Sequence, residues 1–187
     1  MSERERGSTE VREEYGGWTP PIDLRPVVNR LLRHVPEVHL GGISTVTLTD
    51  SRTLNRARRR QKRRVRGKRF RLSEALGIYH GAWQGQPAWI ELFADRILAN
   101  EDKRTLQFPL FRDNAVGEVL FHEIGHHIHA TKCPQHQEPE DVADRWKRKL
   151  LRRFMRRQYW YLLPVARVLW PVVRFLNRRL NPGPPPR

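Results

Sequence analysis

The sequence predicts an α+β domain, and three observations carry that expectation. Apolar residues recur at helical spacing in three separate stretches, and three shorter runs alternate apolar with polar or β-branched residues, as strands do. Glycine, proline and polar residues punctuate the boundaries between them. The chain has 187 residues, enough for one core plus tails without disulfide staples.

Residues 1–19 are polar and mixed in charge, the composition of a flexible arm. After "TPP", Leu24, Val27, Val28, Leu31, Leu32 and Val35 recur as the apolar face of a short helix, with Pro20 and Pro21 suited to its start and Pro36 to its stop. "ISTVTLTD" then alternates Val46 and Leu48 with threonines, which predicts a strand buried on one face. Residues 54–71 form a basic insertion, with eleven Arg or Lys between positions 56 and 71 and little to bury; a helical or loop excursion is expected.

"GIYHGAW" and "PAWIELFADRIL", joined through Gln84, Gly85 and Gln86, predict a hairpin, completing a three-stranded, mainly antiparallel sheet. Asp113 or Asn114 is suited to cap a helix whose apolar stripe is Val116, Leu120, Ile124 and Ile128. Beyond "KCPQHQEP", a further helix is expected from near Pro139, burying Ala143, Trp146, Leu150 and Phe154. The main domain then spans 20–158, and 159–187 forms an aromatic and basic tail with a proline-rich end.

The middle helix carries "FHEIGHHIHAT", in which His122, Glu123 and His126 spell H-E-x-x-H. Residues four apart share a helix face, so both imidazoles reach one ion while Glu123 projects beside them as a base for water. Two imidazoles with a carboxylate and an open water position favour Zn²⁺. The apolar stripe lies elsewhere on the helix, so packing does not require these histidines. Gly125 inside the motif costs about 1 kcal/mol relative to alanine, which points to a close backbone approach.

His129 lies ~10 Å along the axis from His122, too far to share the ion, and His127 points to the core side. Lys132 stands where a metzincin would place its third histidine. The remaining ligand must come from elsewhere in the chain; Glu140 leads, and His136, Glu138 and Asp141 are alternatives.

Glu140 and Asp144 share one face of the following helix, and H-E-x-x-H followed by E-x-x-x-D resembles the gluzincin metallopeptidases, particularly the small minigluzincins. That resemblance implies a small zincin-like fold, with the sheet packed on the active-site helix and the following glutamate helix. It also implies one Zn²⁺ held by His122, His126 and Glu140, with Asp144 orienting His122. The implied activity is peptide-bond hydrolysis with Glu123 as general base. His136 as third ligand would instead resemble SprT-type proteases. Tyr79, His80 and Tyr161 are candidate oxyanion stabilisers. The strand "AWIELFAD" is a candidate for pairing with an extended substrate.

Lys and Arg number 36 against 20 Asp and Glu, a net charge of +16, so nucleic acid or an anionic membrane surface is an expected partner. Arg58, Arg59, Arg60, Lys62, Arg63 and Arg64 are the first candidates for polyanion contact, and eight more cations lie between 145 and 157. Trp160, Tyr161 and Trp170 accompany an apolar tail interrupted by Pro164, Arg167, Pro171 and Arg174, a composition suited to a membrane interface or to covering the core. One cysteine, Cys133, and an N-terminus without an apolar signal core predict a cytoplasmic protein, peripheral at a membrane if the tail docks there. A different class of protein would use the same residues as a basic binding module braced by a structural or inactive metal site.

Overall fold

Six strands and four helices build the described part of the chain: β1 (Glu10–Glu14), α1 (Arg25–Leu32), β2 (Ile43–Thr49), β3 (Lys62–Val65), β4 (Lys68–Arg71), β5 (Gly77–His80), β6 (Ala88–Phe93), α2 (Ala94–Ala99), α3 (Pro109–Lys132) and α4 (Glu140–Gln158). The computed structural model describes residues 9–54, 58, 62–65, 68–71, 74–99, 101–102, 104–132 and 140–162.

The main sheet has four strands in the order β1-β2-β6-β5, where three antiparallel strands were expected. β1 and β2 run parallel, β2 and β6 run parallel, and only β5 is antiparallel to its neighbour. The α+β class therefore stands, but the sheet is mixed. β1 takes residues 10–14 out of the expected flexible arm: Val11 is buried opposite Val46, and Glu10 to Glu14 pair along Thr45 to Thr49. An edge strand needs only one buried face, so a single valine among charged residues suffices.

β5 and β6 form the expected hairpin. Gln84 and Gly85 both have positive φ (46° and 82°), and Trp83 and Gln86 exchange backbone hydrogen bonds across the turn. Such a two-residue turn matches the twist of its strands. β6 ends at Phe93, however, and the chain turns at once into α2, where Asp95 accepts hydrogen bonds from the Ser51 backbone and hydroxyl. Within the basic insertion, the described residues 62–65 and 68–71 form a pair of strands that the sequence did not suggest: β3 and β4 run antiparallel, Lys62 opposite Arg71.

One face of the sheet packs Val46, Leu48, Ile90 and Leu92 against Leu120, Ile124 and α1's Val27, Val28 and Leu31. The opposite face carries a smaller cluster of Leu54, Ile78 and Phe93. Each such fully buried side chain contributes roughly 1.5–3 kcal/mol. Pro26 sits in the first turn of α1, where a missing N–H is harmless.

α3 begins at Pro109, earlier than the Asp113 or Asn114 cap expected from residue type. Asp113 instead lies inside the helix with no exposed surface. It accepts a forked pair of hydrogen bonds from Arg30 at 2.9 and 2.6 Å and a third from the Tyr159 hydroxyl at 2.7 Å. The charged fork offsets what would otherwise be a costly buried carboxylate. No helix among the described residues is long and apolar enough to cross a membrane.

Candidate metal centre

α3 and α4 form an antiparallel hairpin, as three contacts in sequence show. Asp113 meets Tyr159, Gly117 meets Leu151, and Gly125 meets Ala143. At the last of these, a Cβ on Gly125 would lie 2.7 Å from the Ala143 carbonyl oxygen and 2.8 Å from its Cα. The close backbone approach expected from a mid-helix glycine is therefore present. Its partner, Ala143, lies on the α4 face between Glu140 and Asp144.

That contact brings three donor groups together. His122 Nε2 lies 3.0 Å from His126 Nε2 and 3.2 Å from Glu140 Oε2, and His126 Nε2 lies 3.9 Å from Glu140 Oε1. Ligand atoms of these three residues all fall within 4.8 Å of one another, close enough to hold a metal ion. Tetrahedral ligands at zinc bond lengths stand about 3.3 Å apart, so little movement is needed to receive such an ion. Two imidazoles and a carboxylate leave one tetrahedral position open.

Protonation favours the same use. Asp144 Oδ1 lies 3.1 Å from His122 Nδ1, and a carboxylate only accepts, so Nδ1 carries the hydrogen and Nε2 keeps its lone pair. Burial and the neighbouring His126 hold the His122 pKa below its ordinary value, against the pull of Glu140 and Asp144. The 3.2 Å approach of Glu140 thus meets a neutral ring and is a shared ligand geometry more than a salt bridge. Asp144 stays below the usual carboxylate range: burial opposes this, but Lys147, 3.2 Å away, and His122 outweigh it.

Compared with known proteins, the chain matches no family model, no curated protein and no solved structure. The site is accordingly read from its own donor atoms.

Glu123 is buried at 6% exposure between α3 and β5, where its Cγ and Oε1 would lie 2.9 and 3.0 Å from a Cβ on Gly77. A glycine at 77 therefore leaves the volume that Glu123 fills. Nothing local in the sequence marks this pairing. Lys147 was also missed; it links Asp144 to Glu118 at 3.4 Å, and its i+3 spacing from Asp144 was the available signal.

His127 is buried as expected, and its bonds explain why it cannot serve the ion. Gly41's carbonyl accepts from Nε2 at 2.9 Å, so Nδ1 is the acceptor for the Tyr79 hydroxyl at 3.1 Å. Burial keeps the ring pKa low, against the Gly41 bond. Tyr79 faces α3 but its proton is committed to His127. His80 lies on the opposite face of the sheet, stacked on Trp89 at 3.8 Å and 3.2 Å from Glu91, which removes it from the oxyanion candidates. Tyr161 packs against Tyr159 near Asp113, about 13 Å of helix rise from His122, and is removed as well.

Asp141 is exposed at the start of α4 and is not among the three clustered ligands. His129 stands outside the cluster too. His136 and Glu138 lie outside the described residues, as do Arg59 and Arg60. Arg58 is engaged with Glu91 at 2.8 and 3.4 Å, which argues against its role in polyanion contact. Lys62, Arg63 and Arg64 lie in β3.

Proposed function

We propose that the chain is a zinc-dependent peptidase of the kind its resemblance to the gluzincins implies. The observation that carries this reading is the placement of Glu123, a buried carboxylate directly after the first of three clustered ligands. A structural metal site is closed by four protein ligands and has no use for an adjacent base, whereas a three-ligand site beside a carboxylate suits hydrolysis.

His122, His126 and Glu140 would hold the ion, with Asp144 fixing the His122 tautomer. Zinc bound there would supply a Lewis acid for the scissile carbonyl and make water acidic enough to attack near neutral pH. Glu123 takes the proton from the attacking water and returns it to the leaving amine, so one carboxylate acts first as base and then as acid. An extended peptide would pair with the edge of β5. Among the described strands β5 pairs only with β6, and its Gly77 abuts Glu123. β6, suggested by the sequence for this role, is flanked by β2 and β5 and has no free edge.

The test compares wild type with Glu123→Gln for bound zinc and for cleavage of an unfolded protein. The expected outcome is stoichiometric metal in both and cleavage lowered at least ~100-fold in the variant. Absence of metal would sink the reading. Metal with Glu123-independent cleavage, or with none, would make the site structural.

A further inference from the structure

The outer face of α4 has no role in the metal centre. Glu140, Ala143 and Asp144 look toward α3, and the opposite side presents Arg148, Lys149, Arg152, Arg153, Arg156 and Arg157, all exposed. With Arg145 they line a groove of about 590 Å³. Among the described residues no carboxylate pairs with these six cations; Lys149 lies 4.5 Å over the Trp146 ring, and the five arginines are exposed.

This basic stripe runs toward a second feature. The Tyr159–Asp113 hydrogen bond ties the end of α4 to the start of α3, and four aromatic side chains are exposed at that end. Trp160 is 66% exposed, Tyr161 54%, Phe108 60% and Phe111 49%. Trp160 and Tyr161 are in ring contact, as are Phe108 and Phe111, and exposed aromatic groups in contact mark an interaction site.

We propose that the outer face of α4 and this aromatic end together dock the protein on an anionic phospholipid bilayer. Arginines pair with lipid phosphates while tryptophan and tyrosine settle at headgroup depth, the usual division of labour at a membrane surface. Single-stranded nucleic acid is the competing polyanion, but it calls for aromatic rings interleaved with the cations along the groove. Here the lining of the groove holds no aromatic ring. The proposal is independent of the metal centre.

The full-length chain is floated with phosphatidylcholine vesicles containing roughly one-third phosphatidylglycerol, and with pure phosphatidylcholine vesicles. Binding is expected on the anionic vesicles and at least ~10-fold weaker on the neutral ones. Arg152→Glu/Arg156→Glu and Trp160→Ala/Tyr161→Ala, both at exposed positions, are each expected to weaken anionic binding by about tenfold or more. The aromatic pair should matter most at high salt, where charge is screened. Equal binding to both vesicle types, or wild-type binding by both variants, would overturn the proposal. So would retention on an RNA or DNA oligonucleotide without vesicle binding, which would assign the arginines to nucleic acid.

Discussion

Gly125 and Ala143 set the spacing between the helix that carries the histidines and the helix that carries Glu140. A Cβ at position 125 would lie 2.7 Å from the Ala143 carbonyl oxygen, and backbone cannot swing aside as a flexible side chain can. Gly125→Ala should ordinarily gain about 1 kcal/mol of helix propensity. Here overpacking of roughly 1–3 kcal/mol opposes that gain and should win. The expected result is a less stable protein with zinc affinity lowered at least ~10-fold, read by denaturant titration and chelator competition.

Asp144 reaches the metal site only through His122. Asp144→Asn keeps the shape but removes the group that obliges Nδ1 to carry the hydrogen. Zinc affinity should fall about 10- to 100-fold with the fold intact. Lys147→Ala, which removes the neighbour of Asp144 without touching His122, should change affinity far less. Equal losses in the two variants would show that Asp144 acts through Lys147 and not through the histidine.

What could be read from the sequence was local. H-E-x-x-H, the stripe of Val116, Leu120, Ile124 and Ile128, and the Gln84–Gly85 turn each depend on neighbours within a few positions. Glu140 was reachable because ligand chemistry and helix spacing both limit the choice. What escaped depends on distant partners. Asp113 looked like a cap because its type favours one, but its burial is made possible by Arg30, 83 positions away. β1 shows one apolar residue in five, since an edge strand buries so little. The parallel pairing of β2 with β6 leaves no periodic trace, because alternation defines a face and not a neighbour. The fit of Glu123 against Gly77 is likewise a tertiary fact.

Glu91 gives a pH-dependent prediction away from the metal. Burial alone would raise its pKa, but hydrogen bonds from His80 and Arg58 outweigh this and hold it below the ordinary value of 4.5. A carboxylate depressed in the folded state contributes stability above its unfolded pKa and loses it as pH falls through the folded value. Arg58→Ala should therefore cost ~1–3 kcal/mol at neutral pH. That cost should shrink below about pH 4.5, as Glu91 becomes protonated with or without its partner. Urea unfolding of both proteins at pH 7 and at pH 3 to 4 measures it; a cost independent of pH would mean Arg58 stabilises by packing alone.

Metal removal should loosen the hairpin at the start of α4. Glu140 is the first residue of α4, and the ligands it faces lie on α3, so an ion there would fasten the start of one helix to the middle of the other. At a free zinc concentration of about 100 times Kd, linkage predicts a gain of about 2.7 kcal/mol. For a domain of this size that raises Tm by roughly 5–15 °C, and a chelator should reverse it. His126→Ala should abolish the shift, since two remaining ligands bind too weakly to contribute. Glu123→Gln should preserve it, because that residue is assigned to water and not to the ion. Thermal unfolding of the three proteins with zinc and with chelator decides the matter: loss of the shift in Glu123→Gln would place Glu123 among the ligands and leave the site without its proposed base.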